Sequence, residues 1–217
     1  MCSSDLLEMR ERPRPRPMPE SHLQLVRWEA PSPDKYRKLF ARVGSPWLWF
    51  SRLIMDDTRL TAIIHDPRIA IFAVVDRQGI EVGMLELDFR EAATCELSFV
   101  GLVPELTGAG HGRWLMAHAL MRAWRPGVTR VWVHTCTLDH PKALGFYRAW
   151  GFVPFLRAIE TFPDPRITGH LPRDADRKSV VYGKCVDLGC RRPLIPYRLH
   201  PSPLYYFHSH FFLLDTS

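Results

Sequence analysis

Gly108, Gly110 and Gly112 stand at alternate positions between two unlike patterns. Residues 95–103, CELSFVGLV, read as a strand. Residues 113–124, RWLMAHALMRAW, place Leu115, Met116, Ala119, Leu120 and Ala123 on one helical stripe. A strand that turns directly into a helix demands a sheet with that helix on its face. Glycine permits positive φ and the close approach of a ligand. Successive N–H groups in such a turn can point into one concavity, and the new helix adds its own unpaired N–H groups and partial positive charge. A phosphate or pyrophosphate suits that environment. A glycine-rich turn that is only a turn has the same pattern, so the rest of the chain has to decide.

Upstream, residues 23–28 alternate as a first strand. Ser32-Pro33-Asp34 carries the marks of a helix start: a capping hydroxyl, proline at the first helical position, then an acid. Tyr36, Leu39, Phe40 and Val43 follow at helical spacing, and Gly44 closes the helix. Residues 46–65 read as one or two short helices, with Trp47, Trp49 and Phe50 as core more than pocket. Residues 69–75 and 80–89 make a hairpin about the turn Asp76-Arg77-Gln78-Gly79. Downstream, residues 130–136 alternate as a strand, and a helix begins after Asp139-His140-Pro141. Ala143, Leu144, Phe146, Tyr147 and Trp150 face inward on it, Gly151 ends it, and residues 152–159 form a last strand. The expected fold class is α/β, a single domain with a mixed central sheet flanked by helices, because early strands pair as hairpins and later ones are linked by helices.

The net charge of +6 is misleading. It is zero over residues 1–20, +3 over 21–175 and +3 over 176–217, so the domain is only mildly basic and nucleic acid is not an expected partner. No apolar run is long enough to span a membrane, and a cytoplasmic location is expected. The cysteines Cys2, Cys95, Cys136, Cys185 and Cys190 show no metal-type spacing, so no metal is expected and reduced thiols are. Residues 1–21, rich in proline and arginine, read as a disordered N-terminus, and the domain is placed at 22–172. Residues 176–192 resemble a translated short-read sequencing adapter, so 173–217 is expected to be a disordered tail and an assembly artefact.

Three blocks between residues 95 and 152 resemble the GNAT superfamily of acetyl-CoA-dependent N-acetyltransferases. The family's Gln/Arg-x-x-Gly-x-Gly/Ala loop matches Thr107, Gly110 and Gly112, with Thr107 in place of the long polar residue. Its Asn-x-x-Ala-x-x-x-Tyr-x-x-x-Gly-Phe block matches His140, Ala143, Tyr147, Gly151 and Phe152, with His140 in place of asparagine. The resemblance implies a GNAT-like (acyl-CoA N-acyltransferase) fold with acetyl-CoA as co-substrate. The amides of Gly108, Ala109, Gly110, His111, Gly112 and Arg113 would hold the coenzyme's pyrophosphate. Thr107, His140, Ala143 and Tyr147 would line its path, and Leu102 and Val103 the thioester carbonyl. Glu96 falls where histone-type members carry a catalytic glutamate and Tyr147 where the family carries the acid that protonates the departing thiolate.

The chemistry needs these groups. A substrate ammonium must lose a proton before it can attack, and a carboxylate within reach supplies about 10²–10⁴-fold by taking it. Glu86, Asp88 and His134 remain alternative bases, and Tyr147 could serve by packing alone. The reading is acetyl transfer by direct attack in a ternary complex, onto a small-molecule amine or a protein amino group. The alternative is a non-catalytic acyl-CoA-binding sensor of the same fold. A nucleoside-triphosphatase loop would need Lys-Ser/Thr after the glycines, where this chain has Arg113-Trp114. The acceptor and the oligomeric state, homodimer included, stay open.

Overall fold

The structure, a computed structural model, describes residues 2–175. Seven strands form one sheet: β1 (Cys2–Met9), β2 (Gln24–Trp28), β3 (Ile69–Val75), β4 (Glu81–Asp88), β5 (Thr94–Leu102), β6 (Arg130–Cys136) and β7 (Val153–Glu160). Their spatial order is β2-β3-β4-β5-β6-β1-β7. All pairs are antiparallel except β5–β6, which is parallel. The helices are α1 (Pro33–Gly44), α2 (Asp57–Ile64), α3 (His111–Ala123) and α4 (Ala143–Ala149).

The largest departure from expectation is at the N-terminus. Residues 2–9, expected to be disordered, form β1 and lie between β6 and β7. Leu7 is fully buried and Leu6 nearly so. The polar residues Ser3, Asp5 and Glu8 alternate with the buried ones and hide the strand in a composition reading. Asp5 and Glu8 are also held by partners distant in sequence: Arg157 Nε donates to Asp5 at 2.7 Å, and Arg130 Nε to Glu8 at 2.7 Å. The segment that follows β1 runs past Trp150, whose ring lies 5.6 Å from the Arg16 guanidinium carbon, to Ser21 and His22 beside His111. At the other end the fold continues past residue 172, because Ala175 packs with Leu48 and Leu171. The adapter-like stretch lies outside the described residues.

Local signals set the two faces of the sheet. Ser32 caps α1 by accepting from Lys35 N–H at 3.3 Å. The stripe Tyr36, Leu39, Phe40 and Val43 then packs on the sheet, with the Phe40 ring 4.8 Å from that of Phe99. Phe99 pairs with Glu86, and Asp88 with Glu96, which in turn pairs with Trp132. Directly paired residues share a face, as do residues two apart on one strand. Glu86, Asp88, Glu96, Phe99, Trp132 and His134 are therefore on the α1 face. The opposite face carries α3, whose Arg122 stacks on Phe72 at 5.2 Å, and the end of α4, where Gly151 meets Met9.

If β1 belongs to the core, Leu7→Ala costs about 2–5 kcal/mol. The urea midpoint of the full chain would fall accordingly; a terminus outside the fold would leave it unchanged.

Candidate active site

Parallel strands β5 and β6 pair only from Thr94 with Arg130 to Leu97 with Val133. Beyond that point β5 runs on to Leu102 and β6 to Cys136 without a common ladder. The parting coincides with a β-bulge. The β4–β5 register steps from Leu87 opposite Leu97 to Glu86 opposite Phe99, so Ser98 is the extra residue. The result is a cleft between two strand edges, closed at Glu96 and Trp132 and opening toward the glycine turn.

The turn sits at the open end. Val103 N–H donates to the Val82 carbonyl at 2.9 Å, so the amide of Val103 is engaged in the sheet and does not serve the cleft. Backbone alternation turns the N–H of Leu102 the other way, toward the cleft. A short 3₁₀ turn, Pro104–Leu106, follows, and the Thr107 hydroxyl donates back to the Pro104 carbonyl at 2.7 Å. Thr107 thus stabilises the turn rather than reaching outward. Gly108 and Gly110 have φ of +89° and +87°. A Cβ added at Gly108 or Gly112 would meet nothing within 4 Å, so the glycines face open space. Ala109 between them is exposed. α3 begins at His111, two residues earlier than its apolar stripe suggests.

One amide of the expected cradle is otherwise occupied. Arg113 N–H donates to the Gly110 carbonyl at 3.0 Å, which leaves the amides before it as the unpaired start of the helix. The His111 side chain turns inward. Its Nδ1 is 2.9 Å from Ser21 Oγ, its ring meets that of His22 edge-on at 4.8 Å, and burial, with His22 nearby, lowers its pKa.

On the opposite wall, His140 precedes α4. Its Nδ1 accepts from Lys142 N–H at 3.1 Å and its ring touches that of Trp47 at 5.4 Å. The histidine therefore organises the helix start through the same acceptor chemistry that asparagine offers, with its ring turned to Trp47. Ala143 is half-buried at the first position of α4. Tyr147 is buried, with its ring beside those of Phe146 and Phe152. Burial, reinforced by the charge of Asp139, raises its pKa, so the phenol stays protonated. Asp139 is fixed at the end of β6 by Thr135 Oγ1 at 2.8 Å and Cys136 N–H at 3.0 Å.

Glu96 lies on the α1 face at the closed end of the cleft. Burial first, then the neighbouring Asp88 carboxylate, raises its pKa to about 7. Asp88 itself is gripped by Arg90. Two residues on from Trp132, His134 Nε2 stands 3.3 Å from Glu160 Oε1. Burial alone would lower the histidine's pKa, but Glu160, Asp139 and Glu96 outweigh it and the pKa rises. Glu96 and Tyr147 thus both feel charge at the end of β6, the first that of His134 and the second that of Asp139.

Residue chemistry alone did not reveal the network behind Glu96. Glu86, fully buried, accepts from Tyr36 Oη at 2.5 Å and from Arg52 Nη2 at 2.6 Å. Arg52 is also buried, lies over Phe99 at 5.3 Å, and contributes a positive charge that restrains the rise at Glu96. The signal in the sequence was an arginine within an otherwise apolar stretch, which is costly to bury unless paired.

A family model, the acetyltransferase (GNAT) family, matches residues 23–152. The chain belongs to the GNAT family. No curated protein matches this GNAT chain significantly. Among solved structures, it is similar to a GCN5-related N-acetyltransferase from Sphaerobacter thermophilus, at TM-score 0.55 and 17% identity, covering 72% of this chain and 49% of that one. The GNAT chain thus spans about half the length of that relative. It is also similar to an aminoglycoside acetyltransferase from an uncultured soil sample, at TM-score 0.52 and 16% identity, covering 65% of this chain and 95% of that one. The spermidine N-acetyltransferase of Vibrio cholerae aligns at TM-score 0.51 and 25% identity, covering 66% of this chain and 86% of that one. Among the described residues of this GNAT no helix is long and apolar enough to cross a membrane, and no three metal-ligating side chains gather.

Arg52→Met strands a buried carboxylate and would cost about 3–5 kcal/mol, whereas Arg52→Met with Glu86→Gln would recover most of it. Chemical denaturation of the two variants measures this; equal losses would show that the ion pair is not what matters.

Proposed function

We propose that the protein transfers the acetyl group of acetyl-CoA to a primary amine by direct attack in a ternary complex. The observation that carries the reading is the cleft itself: two parallel strands part at a bulge, the opening leads to glycines that face open space, and a carboxyl group with a raised pKa lies at the closed end. The coenzyme supplies an activated thioester. The amides of Gly108 to Gly112 and the start of α3 suit its pyrophosphate. The exposed edges of β5 and β6 offer backbone partners to an extended, amide-containing arm.

Within that arrangement Glu96 takes a proton from the acceptor's ammonium. A base with a pKa near 7 is half-ionised near neutrality, where it still accepts a proton readily. The Leu102 N–H, aimed into the cleft, stands where charge develops on the carbonyl oxygen, and a pre-aimed donor of this kind contributes roughly 10²–10³ in rate. Tyr147, held protonated by burial, can return a proton to the thiolate. The carboxylates of Glu96, Asp88 and Glu160 on or beside the acceptor face favour a cationic acceptor, and the likeness to spermidine N-acetyltransferase points the same way.

One observation favours the second reading, a chain that binds the coenzyme without turnover. Thr107 Oγ1 and His140 Nδ1 are both engaged by the chain's own backbone. Calorimetry with acetyl-CoA, followed by thiol release across a panel of amines, separates the two. Heat with thiol release supports the transferase, and heat without release supports the binder.

Glu96→Gln would lower turnover about 10²–10⁴-fold with coenzyme binding retained. In the parent enzyme the carboxyl must lose its proton to act, so the rate rises with pH through about 7. The variant loses that rise; an unchanged pH profile would remove Glu96 from the base role.

A further inference from the structure

Cys2 and Cys136 lie together outside the groups assigned to acetyl transfer. Ser4 pairs with Cys136, so Cys2, two residues along β1, is the diagonal neighbour of Cys136 on the same face of the sheet. Each thiol is the largest influence on the other's pKa, lowering that of Cys2 and raising that of Cys136. Further donors converge on the pair: Thr137 Oγ1 donates to Cys2 Sγ at 3.5 Å, and Leu138 N–H donates to Cys136 Sγ at 3.4 Å. The third described cysteine, Cys95, lacks such an environment and is simply buried, which raises its pKa.

We propose that Cys2 and Cys136 are a reversible dithiol/disulfide pair that staples the N-terminal strand to β6, with a small-molecule disulfide as oxidant. The donors around the pair do two things. They stabilise a thiolate, chiefly through the Cys136 S–H and against the effect of burial, so the Cys2 pKa falls well below its ordinary value while that of Cys136 rises. They also let one proton be shared between the sulfurs, so the negative charge can reach Cys136, which is half-buried, from Cys2, which is 1% exposed. The thiolate is the nucleophile in disulfide exchange.

The chemistry balances in two steps. The Cys136 thiolate attacks one sulfur of the small disulfide, forming a mixed disulfide and releasing one thiolate. The Cys2 sulfur then attacks Cys136, forming the cross-strand bond and releasing the second thiolate. Two protein thiols are oxidised, one external disulfide is reduced to two thiols, and the protein's two protons pass to the leaving groups. The new bond joins residues far apart in sequence, so it constrains the unfolded chain strongly. It also fixes β1 beside the strand that bears His134 and forms one wall of the cleft.

The test uses the full chain, incubated with oxidised glutathione, quenched with N-ethylmaleimide, digested without reductant and mapped by mass spectrometry. The expected product is a linked peptide pair containing Cys2 and Cys136, lighter by two hydrogens than the separate peptides, and distinct from any peptide of Cys95, Cys185 or Cys190. The oxidised chain should melt several degrees higher, an effect reversed by dithiothreitol. Cys2→Ser should halt the reaction at glutathione on Cys136. The idea is overturned if both wild-type cysteines still take the maleimide, or if glutathione stays on Cys136 while Cys2 remains open to alkylation. Both of these outcomes are measured on the wild-type chain, so the test holds even where the variant fails to fold.

Discussion

β5 and β6 start side by side with regular parallel hydrogen bonds, and after Leu97 and Val133 they have none in common. A sheet does not give up its ladder without cause, because the N–H and C=O groups left behind still need partners. The cause is the extra residue Ser98, which shifts the β4–β5 register and turns the upper half of β5 away. Gly101 helps hold the diverted strand: Val43 and Trp49 come so close that a Cβ there would sit 2.7 and 3.0 Å from them. The glycine turn, the start of α3 and the end of β6 all owe their positions to this divergence.

The α1 face of the sheet is organised differently, by charge. Glu86 is anchored between Tyr36 and Arg52 in the dry region under α1, accepting a hydrogen bond from each. From that anchor the acids extend along the sheet to Asp88 and Glu96. Glu96 is left with enough like charge and burial to sit near neutrality. The α1 helix therefore does more than cover the sheet. Through Tyr36 it holds Glu86, one of the charges that act on Glu96.

Much of this architecture could be read from residue patterns because the signals were local. The Ser32 cap, the 76–79 turn, the apolar stripe of α3 and the glycine of the α4 end each act within a few residues. Glu96 and Tyr147 were legible as candidates through the resemblance of their blocks to the GNAT family, although what their surroundings do to them was not. The bulge at Ser98, the Arg52–Glu86 pair and the inward turn of His111 depend on residues 12 to 90 positions away, or on register. The first strand was missed for a related reason. Asp5 and Glu8 look like solvent-facing residues until Arg157 and Arg130 arrive from the far end of the chain.

That same strand has a consequence for how the molecule comes into being. β1 is made well before its two neighbours, β6 and β7, which follow it after a long stretch of chain. During synthesis it has to wait, unpaired, until more than a hundred further residues have emerged. Contacts so distant in sequence are slow to form. The sheet is therefore completed only when this early strand enters the slot between two strands that are made much later.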